Sequence, residues 1–190
     1  MILTTILAAS MVLNISAPLN TNRQGEGLVL VENKSVPRDL GENTAKVISL
    51  STKEKVGTII ISNSGRTLDV VQPNGKALRY RISVGRDGFT WKGVVTVGAK
   101  SKWPEWRPPA EMRRRDPSLP QMVPSGPYNP LGARALYLYA NGKDTLYRIH
   151  GTNTAESVGS YETSGCFRLT NTDVIQLFEK IPVGTKVIVQ

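Results

Sequence analysis

The sequence predicts a mainly β domain, arranged as a β-sandwich or an open barrel, with one short helix near its C-terminal end. Seventeen glycines and twelve prolines among 190 residues, together with few long helical patterns, favour a fold rich in strands and loops. Two of the turns contain an Asn-Gly pair, which is a strong hairpin signal between short apolar runs. Hairpin order in turn favours antiparallel or mixed strand pairing within one domain.

Alternating apolar residues mark the expected strands, which begin at Gly57. In one of these runs, Leu78 and Tyr80 alternate with Arg79 and Arg81, as in a half-buried strand with a basic outer face. The seven expected strands are GTIIIS (57–62), TLDVVQ (67–72), ALRYRISVG (77–85), GVVTVG (93–98), ALYLYA (135–140), TLYRIH (145–150) and KVIVQ (186–190).

The expected helix is TNTDVIQLFEKI (170–181), whose apolar residues recur with a helical period and whose N-cap is Thr170 or Asn171. Residues 103–130 differ from the rest of the chain because they hold many prolines and a run of three arginines. They predict a long irregular loop, and such loops in compact domains often form functional lids.

The first 22 residues are interpreted as a signal peptide or an N-terminal membrane anchor. Residues 2–15 form an apolar stretch of the size of a signal-peptide core, and Ala17 offers a small residue for cleavage. No Lys or Arg precedes that stretch, and polar residues interrupt it, so an apolar tail on a cytoplasmic protein is the alternative. Residues 23–56 are polar and lack a clear period, so we expect a linker or flexible arm before a folded domain over residues 57–190.

The net charge of +9 belongs almost entirely to that folded domain. Residues 1–57 carry six basic and five acidic side chains, whereas residues 58–190 carry 18 basic and 10 acidic ones. Such a field attracts nucleic acid, anionic lipid or a carboxylate-rich polymer. The sequence has no zinc-finger pattern, aromatic RNA-binding signature or recognition helix, so nucleic acid is not the expected partner.

The chain has one histidine, His150, and one cysteine, Cys166, 16 positions apart in a stretch rich in Gly, Ser and Thr. A lone cysteine cannot form an internal disulfide, and an unpaired thiol in an oxidising compartment calls for a reason. An adjacent imidazole can take the thiol proton, leave an ion pair and so produce a nucleophile that attacks carbonyl carbon. The alternatives are coincidence and an inert buried thiol. A zinc site would need additional carboxylates, so we expect no metal and no cofactor.

The residues around Cys166 favour the catalytic interpretation. Gly165 permits tight backbone geometry and close approach of a substrate, and backbone N–H groups there could stabilise an oxyanion. Arg168 projects on the same side as Cys166 if the segment is extended, and could bind a substrate carboxylate, although a surface charge is an equal alternative. Four aromatic residues could wall a substrate groove, or could simply pack in the core and loops. They are Trp91, Trp103, Trp106 and Tyr128.

The segments YRIHGTN, SVGS and TSGCFRLTNTDVIQLFEKIPVGTKV resemble the catalytic segment of the L,D-transpeptidases, the YkuD-like family. The family signature is HGT, a loop, and then Ser/Thr–x–Gly–Cys–x–Arg or Asn. The segments NPLGARALYL and GFTWKG with WPEWRPPAEM also resemble the family, so the resemblance covers about residues 57–190. One position departs from it, because the residue before Gly165 is often a second histidine and here is Ser164.

The resemblance implies an L,D-transpeptidase fold and a role for each residue of the motif. Cys166 would be the nucleophile, His150 the general base and acid, and the backbone carbonyl of Gly151 would orient His150. Substrate binding would involve Arg168, Ser164, Gly165, Trp91 and Tyr128.

The implied reaction is peptidoglycan transpeptidation in the periplasm or cell envelope. The thiol would attack the diaminopimelate carbonyl of a stem peptide, expel D-alanine, and pass the acyl group to an amine. That amine would come from another stem peptide or from an outer-membrane protein. Alternatives are an L,D-carboxypeptidase, which uses water as acceptor, and a cell-wall-binding module without catalysis. A papain-like or sortase-like enzyme fits less well, because the order and spacing of histidine and cysteine differ.

Overall fold

The computed structural model describes residues 40–190. The predicted signal peptide or anchor, and residues 23–39 of the predicted arm, lie outside the described residues. Within the part that the structure describes, no helix is long and apolar enough to cross a membrane. The strands are β1 (Lys46–Ser49), β2 (Ile59–Ser62), β3 (Thr67–Gln72), β4 (Lys76–Arg81), β5 (Val84–Gly85), β6 (Gly93–Lys102), β7 (Arg134–Ala140), β8 (Lys143–His150), β9 (Tyr161–Thr163), β10 (Phe167–Arg168) and β11 (Lys186–Val189). The helices are α1 (Ala110–Arg115) and α2 (Asn171–Lys180), with a 3-10 turn at Ala155–Ser157.

Nine of the strands form one mixed sheet in the order β1-β4-β3-β2-β11-β6-β7-β8-β10. The strand β11 pairs parallel with β2 and antiparallel with β6, and β10 pairs parallel with β8. On the other side of β10, the backbone of Arg168 exchanges two hydrogen bonds with Ser83, at 2.8 and 3.0 Å. Ser83 lies just after β4. The sheet therefore curls back on itself as an open barrel, and the predicted mainly β class is confirmed.

The core lies on the inner face of this curled sheet, where apolar side chains of alternate residues are buried. On β2 and β11 these are Ile59, Ile61, Val187 and Val189. Helix α2 covers the core with Val174, Leu177 and Phe178. Large buried aliphatic side chains of this kind each contribute about 1.5–3 kcal/mol of transfer free energy.

Helix α2 begins and ends at side chains that satisfy its unpaired backbone groups. The hydroxyl of Thr170 accepts a hydrogen bond from Asp173 N at 3.1 Å, so Thr170 is the N-cap. At the other end, Lys100 Nζ donates to the carbonyl oxygens of Phe178 at 2.5 Å and Ile181 at 2.7 Å. The position of this helix matters for the site, because its first turn packs beneath the segment that follows His150.

Each expected strand and the expected helix have a counterpart in the structure, although the run 77–85 divides into β4 and β5. The described part of the predicted arm is not all linker, because Lys46–Ser49 pairs antiparallel with β4 as an edge strand. Its side chains are mostly exposed, so no buried face marks it in the sequence. The predicted loop 103–130 also contains the short helix α1, whose six residues include no buried side chain.

Candidate active site

The parallel pair β8 and β10 positions both candidate residues, because His150 ends β8 and Cys166 directly precedes β10. In this pair, Phe167 lies opposite Ile149 and Arg168 lies opposite His150, and Leu169 N donates to His150 O at 2.9 Å. Opposite residues of a ladder project to the same face, and Ile149 and Phe167 are fully buried in the core. His150 and Arg168 therefore project from the other face, and Cys166, two residues before Arg168, is placed on that face as well.

The His150 ring is buried and held in one orientation by the next residue. Only 6% of His150 is exposed, and its Nδ1 lies 2.6 Å from the carbonyl oxygen of Gly151. A carbonyl can only accept, so Nδ1 carries the proton and Nε2 is left as the basic nitrogen. Burial, with smaller contributions from the charges of Arg168 and Arg148, lowers the pKa of His150 to about 3. The lowered pKa favours the neutral imidazole at pH 7, with Nε2 unprotonated.

The Cys166 thiol is protonated in this resting arrangement. Protein atoms surround the sulfur although the residue as a whole is half-buried, and this burial raises the pKa of Cys166. The backbone N–H and charge of Arg148, and the charge of Arg168, act in the opposite direction by stabilising the thiolate. Sγ lies 3.9 Å from the carbonyl oxygen of Leu146, to which the thiol donates.

The directions of the two pKa shifts favour neutral groups over the expected thiolate–imidazolium ion pair. Among residues 40–190 no hydrogen bond joins the Cys166 sulfur to the His150 ring, and both groups are neutral. A neutral imidazole and a neutral thiol fit proton transfer that accompanies attack on the substrate, rather than a preformed ion pair.

The loop before Cys166 is fixed by Gly165, which has φ of +104°. A Cβ there would lie 2.5 Å from Tyr147 Cε1, so a side chain is excluded by space as well as by backbone conformation. Thr163 Oγ1 accepts from Gly165 N at 3.2 Å and donates to Cys166 O at 2.7 Å. Because Gly165 N–H is directed at Thr163, it is not the free oxyanion donor that the sequence suggested.

Trp91 supports this loop from behind. Its Nε1 donates to Gly165 O at 2.9 Å, and its ring stacks on Tyr147 with the centroids 4.6 Å apart. The ring also packs against the hydrophobic core at Phe167. Trp91 therefore positions the loop that carries Cys166. Its contacts do not indicate that it lines a substrate groove.

Arg168 is a half-buried residue with partners of its own. Nη1 donates to Ser157 Oγ at 2.8 Å and lies 3.5 Å from Glu162 Oε1. Its Nε is buried and has no hydrogen-bond partner within the described residues. A buried donor without a partner is costly, so an incoming oxygen atom can gain by pairing with it.

The other predicted aromatic residues lie in the loop 103–130, where their backbones hold that loop together. Trp103 N donates to Ala133 O at 2.9 Å, and Trp106 forms a backbone bridge with Val123. Tyr128 is 54% exposed, and its carbonyl accepts from Asn153 Nδ2 at 3.0 Å. The loop is thereby tied to the segment that follows His150. Ser164 is half-buried next to Gly165.

Asn171 is the supporting residue that the sequence analysis considered only as a helix cap. Its Oδ1 accepts from Ala133 N at 2.8 Å and from Thr152 N at 3.2 Å, and its Nδ2 donates to Thr152 O at 2.6 Å. A Cβ on Gly151 would collide with Asn171 Oδ1. This buried amide therefore ties Thr152, the residue after the carbonyl that orients His150, to the neighbouring backbone at Ala133.

Leu146 and Arg148 also support the site, and the sequence did not predict their roles. The pairing of β7 with β8 shifts between Tyr137 and Tyr139, and Leu146 has φ of +63° in the resulting irregularity, which presents its carbonyl to the thiol. Arg148 is held by a double hydrogen bond to Asp144, at 2.6 and 2.8 Å. No sequence signal marks such a shift in register.

The low pKa of His150 makes stability depend on pH. Between pH 6.5 and about 3 the unfolded chain protonates this histidine and the folded chain does not, so stability is present above pH 6.5 and is lost as pH falls. From pH 7 to pH 5 this histidine alone is expected to remove about 2 kcal/mol of the free energy of unfolding. Urea unfolding of the protein and of His150→Gln at both pH values measures it. An equal pH response in both proteins would contradict the prediction.

A mainly β fold with one thiol and one oriented imidazole on the same face of a parallel strand pair defines the class of this protein. Residues 57–189 match the model of the L,D-transpeptidase catalytic domain, YkuD. The chain therefore belongs to the L,D-transpeptidase family of enzymes.

Two curated relatives show how much of their length is shared. The chain is 45% identical over 138 residues to a probable L,D-transpeptidase, YbiS, of Escherichia coli, which covers 67% of this chain and 43% of that protein. It is 35% identical over 133 residues to a putative L,D-transpeptidase, YqjB, of Bacillus subtilis, which covers 69% of each. The chain thus spans less than half of the length of the Escherichia coli relative.

The solved structures agree on the fold. L,D-transpeptidase 3 of Mycobacterium tuberculosis superposes with a TM-score of 0.52 at 18% identity, over 71% of this chain and 61% of that one. A Brucella melitensis protein described as a probable carnitine operon oxidoreductase superposes with a TM-score of 0.54 at 38% identity, over 80% of this chain and 99% of that one. Its name describes a different activity, and this chain's family membership follows from the match over residues 57–189.

Proposed function

We propose that this protein is a peptidoglycan L,D-transpeptidase in which Cys166 is the nucleophile and His150 is the general base and acid. The observation that supports the proposal is the pairing of Arg168, two residues after Cys166, opposite His150, with the His150 ring held by Gly151 O. Nε2 is then the ring atom that is free to exchange protons with the sulfur and the substrate.

The first half-reaction forms a thioester and releases D-alanine. Nε2 of His150 takes the proton from Sγ as the sulfur attacks the carbonyl carbon of diaminopimelate, and the carbonyl oxygen becomes an oxyanion. When this intermediate collapses, the C–N bond to D-alanine breaks, and the imidazolium gives its proton to the leaving amine. The acyl group remains on Cys166, and His150 is neutral again.

The second half-reaction transfers the acyl group to an amine. The acceptor nitrogen attacks the thioester, its proton goes to Nε2, and the C–S bond breaks to restore the thiol. An amine of a second stem peptide gives a 3-3 cross-link, and an amine of an outer-membrane protein attaches that protein to the wall. Water as acceptor would make the enzyme an L,D-carboxypeptidase.

The charges around the site favour a negatively charged sulfur and an anionic substrate. Arg148 and Arg168 oppose the rise in the pKa of Cys166, so they favour the sulfur when it carries negative charge. The partly exposed guanidinium of Arg168 is the group that we assign to a substrate carboxylate. The net charge of +8 on residues 58–190 attracts stem peptides, which carry several carboxylates.

A peptidoglycan substrate requires a location in the periplasm or cell envelope. The apolar stretch at residues 2–15 supports export or N-terminal anchoring. We include this location in the proposal because the substrate and the apolar stretch lead to it independently.

Product analysis tests the proposed reaction. Incubated with a stem tetrapeptide that ends in D-alanine, the purified protein is expected to release D-alanine and to form a dimer joined through two diaminopimelate residues. Mass spectrometry identifies both products, and the intact protein should gain the mass of a carbapenem at Cys166. A tripeptide without D-alanine is the control and should give no dimer by this route.

Each other outcome of product analysis has a distinct meaning. Release of D-alanine with only free tripeptide as product would favour the carboxypeptidase. Absence of both release and acylation would favour a binding module and would contradict the proposal.

A further inference from the structure

Two arginines converge on one aromatic ring beside the candidate active site. The guanidinium carbons of Arg86 and Arg115 lie 4.5 and 4.7 Å from the centroid of the Phe89 ring. Arg86 directly follows β5, and Arg115 is the last residue of α1, in the loop 103–130. Both side chains are exposed, and within residues 40–190 neither forms an ion pair.

The ring that holds these arginines belongs to a segment that packs against the nucleophile loop. Arg86 N donates to Thr163 O at 3.0 Å. The carbonyl oxygen of Phe89 lies 3.1 Å from the place of a Cβ on Gly165, the residue before Cys166. Arg86 therefore lies on the segment that packs against the loop before Cys166, and Arg115 reaches the same ring from α1.

Two like charges at one ring are an arrangement that a bound anion would stabilise. The two distances to the ring place the guanidinium carbons at most about 9 Å apart, and like charges repel at that separation. The neighbouring carboxylates of Asp87 and Asp116 form no ion pair with either arginine within the described residues. The faces of the Phe89 ring attract both cations but leave their N–H groups for another partner.

A cavity adjoins Arg86. Its volume is about 490 Å³, and Arg86, Asp87 and Tyr161 line it. Tyr161 opens the strand β9, whose last residue, Thr163, hydrogen-bonds to Cys166 O. The cavity thus runs beside the chain that leads to the nucleophile, and it has room for part of a peptide.

We propose that Arg86 and Arg115, held on Phe89, form an anion subsite that binds a carboxylate of the stem peptide, separate from the one assigned to Arg168. The inference rests on the proposed function, and it identifies a carboxylate as the substrate group that this subsite binds. The subsite links the loop 103–130 to substrate binding, because α1 supplies Arg115. Guanidinium groups bind carboxylates through paired N–H donors, so an amide in place of the carboxylate would bind more weakly.

The test combines a change in the protein with a change in the substrate. The double variant Arg86→Gln/Arg115→Gln is compared with Arg114→Gln, which removes one exposed charge from the same helix. With a tetrapeptide whose carboxylates are free, the double variant is expected to raise KM about tenfold while kcat changes less than twofold. When the carboxylate that the two arginines bind is converted to an amide, the KM of the wild-type protein should rise to a similar extent. With that amidated peptide, the double variant should raise KM no further.

A binding measurement separates this inference from the proposed function. Calorimetric titration of the Cys166→Ala protein with the same tetrapeptides measures affinity without turnover, so it reports on the subsite even if D-alanine is never released. Equal affinity with and without the two arginines would overturn the inference. An equal loss for every amidated form and for the free peptide would also overturn it, because the charges would then act only through the general field of the protein.

Discussion

Replacing Cys166 with alanine is expected to abolish release of D-alanine from the stem tetrapeptide. No other thiol is present in the chain, and the thioester cannot form without Sγ. Loss of a catalytic nucleophile commonly lowers kcat by about 10⁴-fold or more, so the remaining rate should be close to background. Quantifying D-alanine by mass spectrometry under single-turnover conditions measures this loss.

The same variant should fold normally. The sulfur of the half-buried Cys166 makes one long contact, at 3.9 Å to Leu146 O, and its removal leaves only a small space. We expect the midpoint of thermal unfolding to change by less than about 4 °C. Cys166→Ser serves as a matched control, because it keeps the shape and replaces only the nucleophile. Full activity in either folded variant would exclude Cys166 as the nucleophile.

Replacing Asn171 with alanine is expected to have the largest effect on stability. The substitution removes three hydrogen bonds and leaves two N–H groups and one carbonyl, those of Ala133 and Thr152, without their partner inside the protein. Buried groups left without partners cost about 1–3 kcal/mol each, so the free energy of unfolding should fall by about 3–5 kcal/mol. Urea unfolding at pH 7 gives the value.

A separate readout tests whether Asn171 also positions His150. We expect Asn171→Asp, which keeps Oδ1 but places a second acceptor against Thr152 O, to lower kcat with little change in KM, because the turn at Gly151 loosens. Asn153→Ala is the control, since Asn153 is an exposed asparagine nearby with one hydrogen bond, to Tyr128 O. If Asn171→Ala were no less stable than Asn153→Ala, the hydrogen bonds of Asn171 would have no structural weight.

Strands with a buried face could be predicted because apolar and polar residues alternate along them. The apolar run at Ile59–Ser62 and the period of Asn171–Lys180 both correspond to buried side chains in the structure. The edge strand Lys46–Ser49 could not be predicted, because backbone pairing with β4 holds it and its side chains remain largely exposed. Exposed elements such as α1 also lack a buried face, so no apolar pattern predicts them.

The reactive groups of the site could be predicted, but most of their supports could not. His150 and Cys166 stand out because each occurs once, and their surroundings match a known motif. The carbonyl of Leu146 reaches the sulfur only through a shift in strand register, which no side-chain pattern encodes. Trp91 attracted attention as an aromatic residue, but its hydrogen bond to Gly165 O becomes evident only in three dimensions.

The protonated state of the nucleophile also protects it from adventitious damage. Peroxides and small alkylating agents react with sulfur chiefly as its anion, and here the burial that raises the pKa of Cys166 keeps the anion scarce. A scarce anion slows such damage, so the single thiol of the chain can stay reduced for longer. Selectivity for acyl donors then depends on the step at which the sulfur becomes an anion, in addition to the fit of the donor at the site.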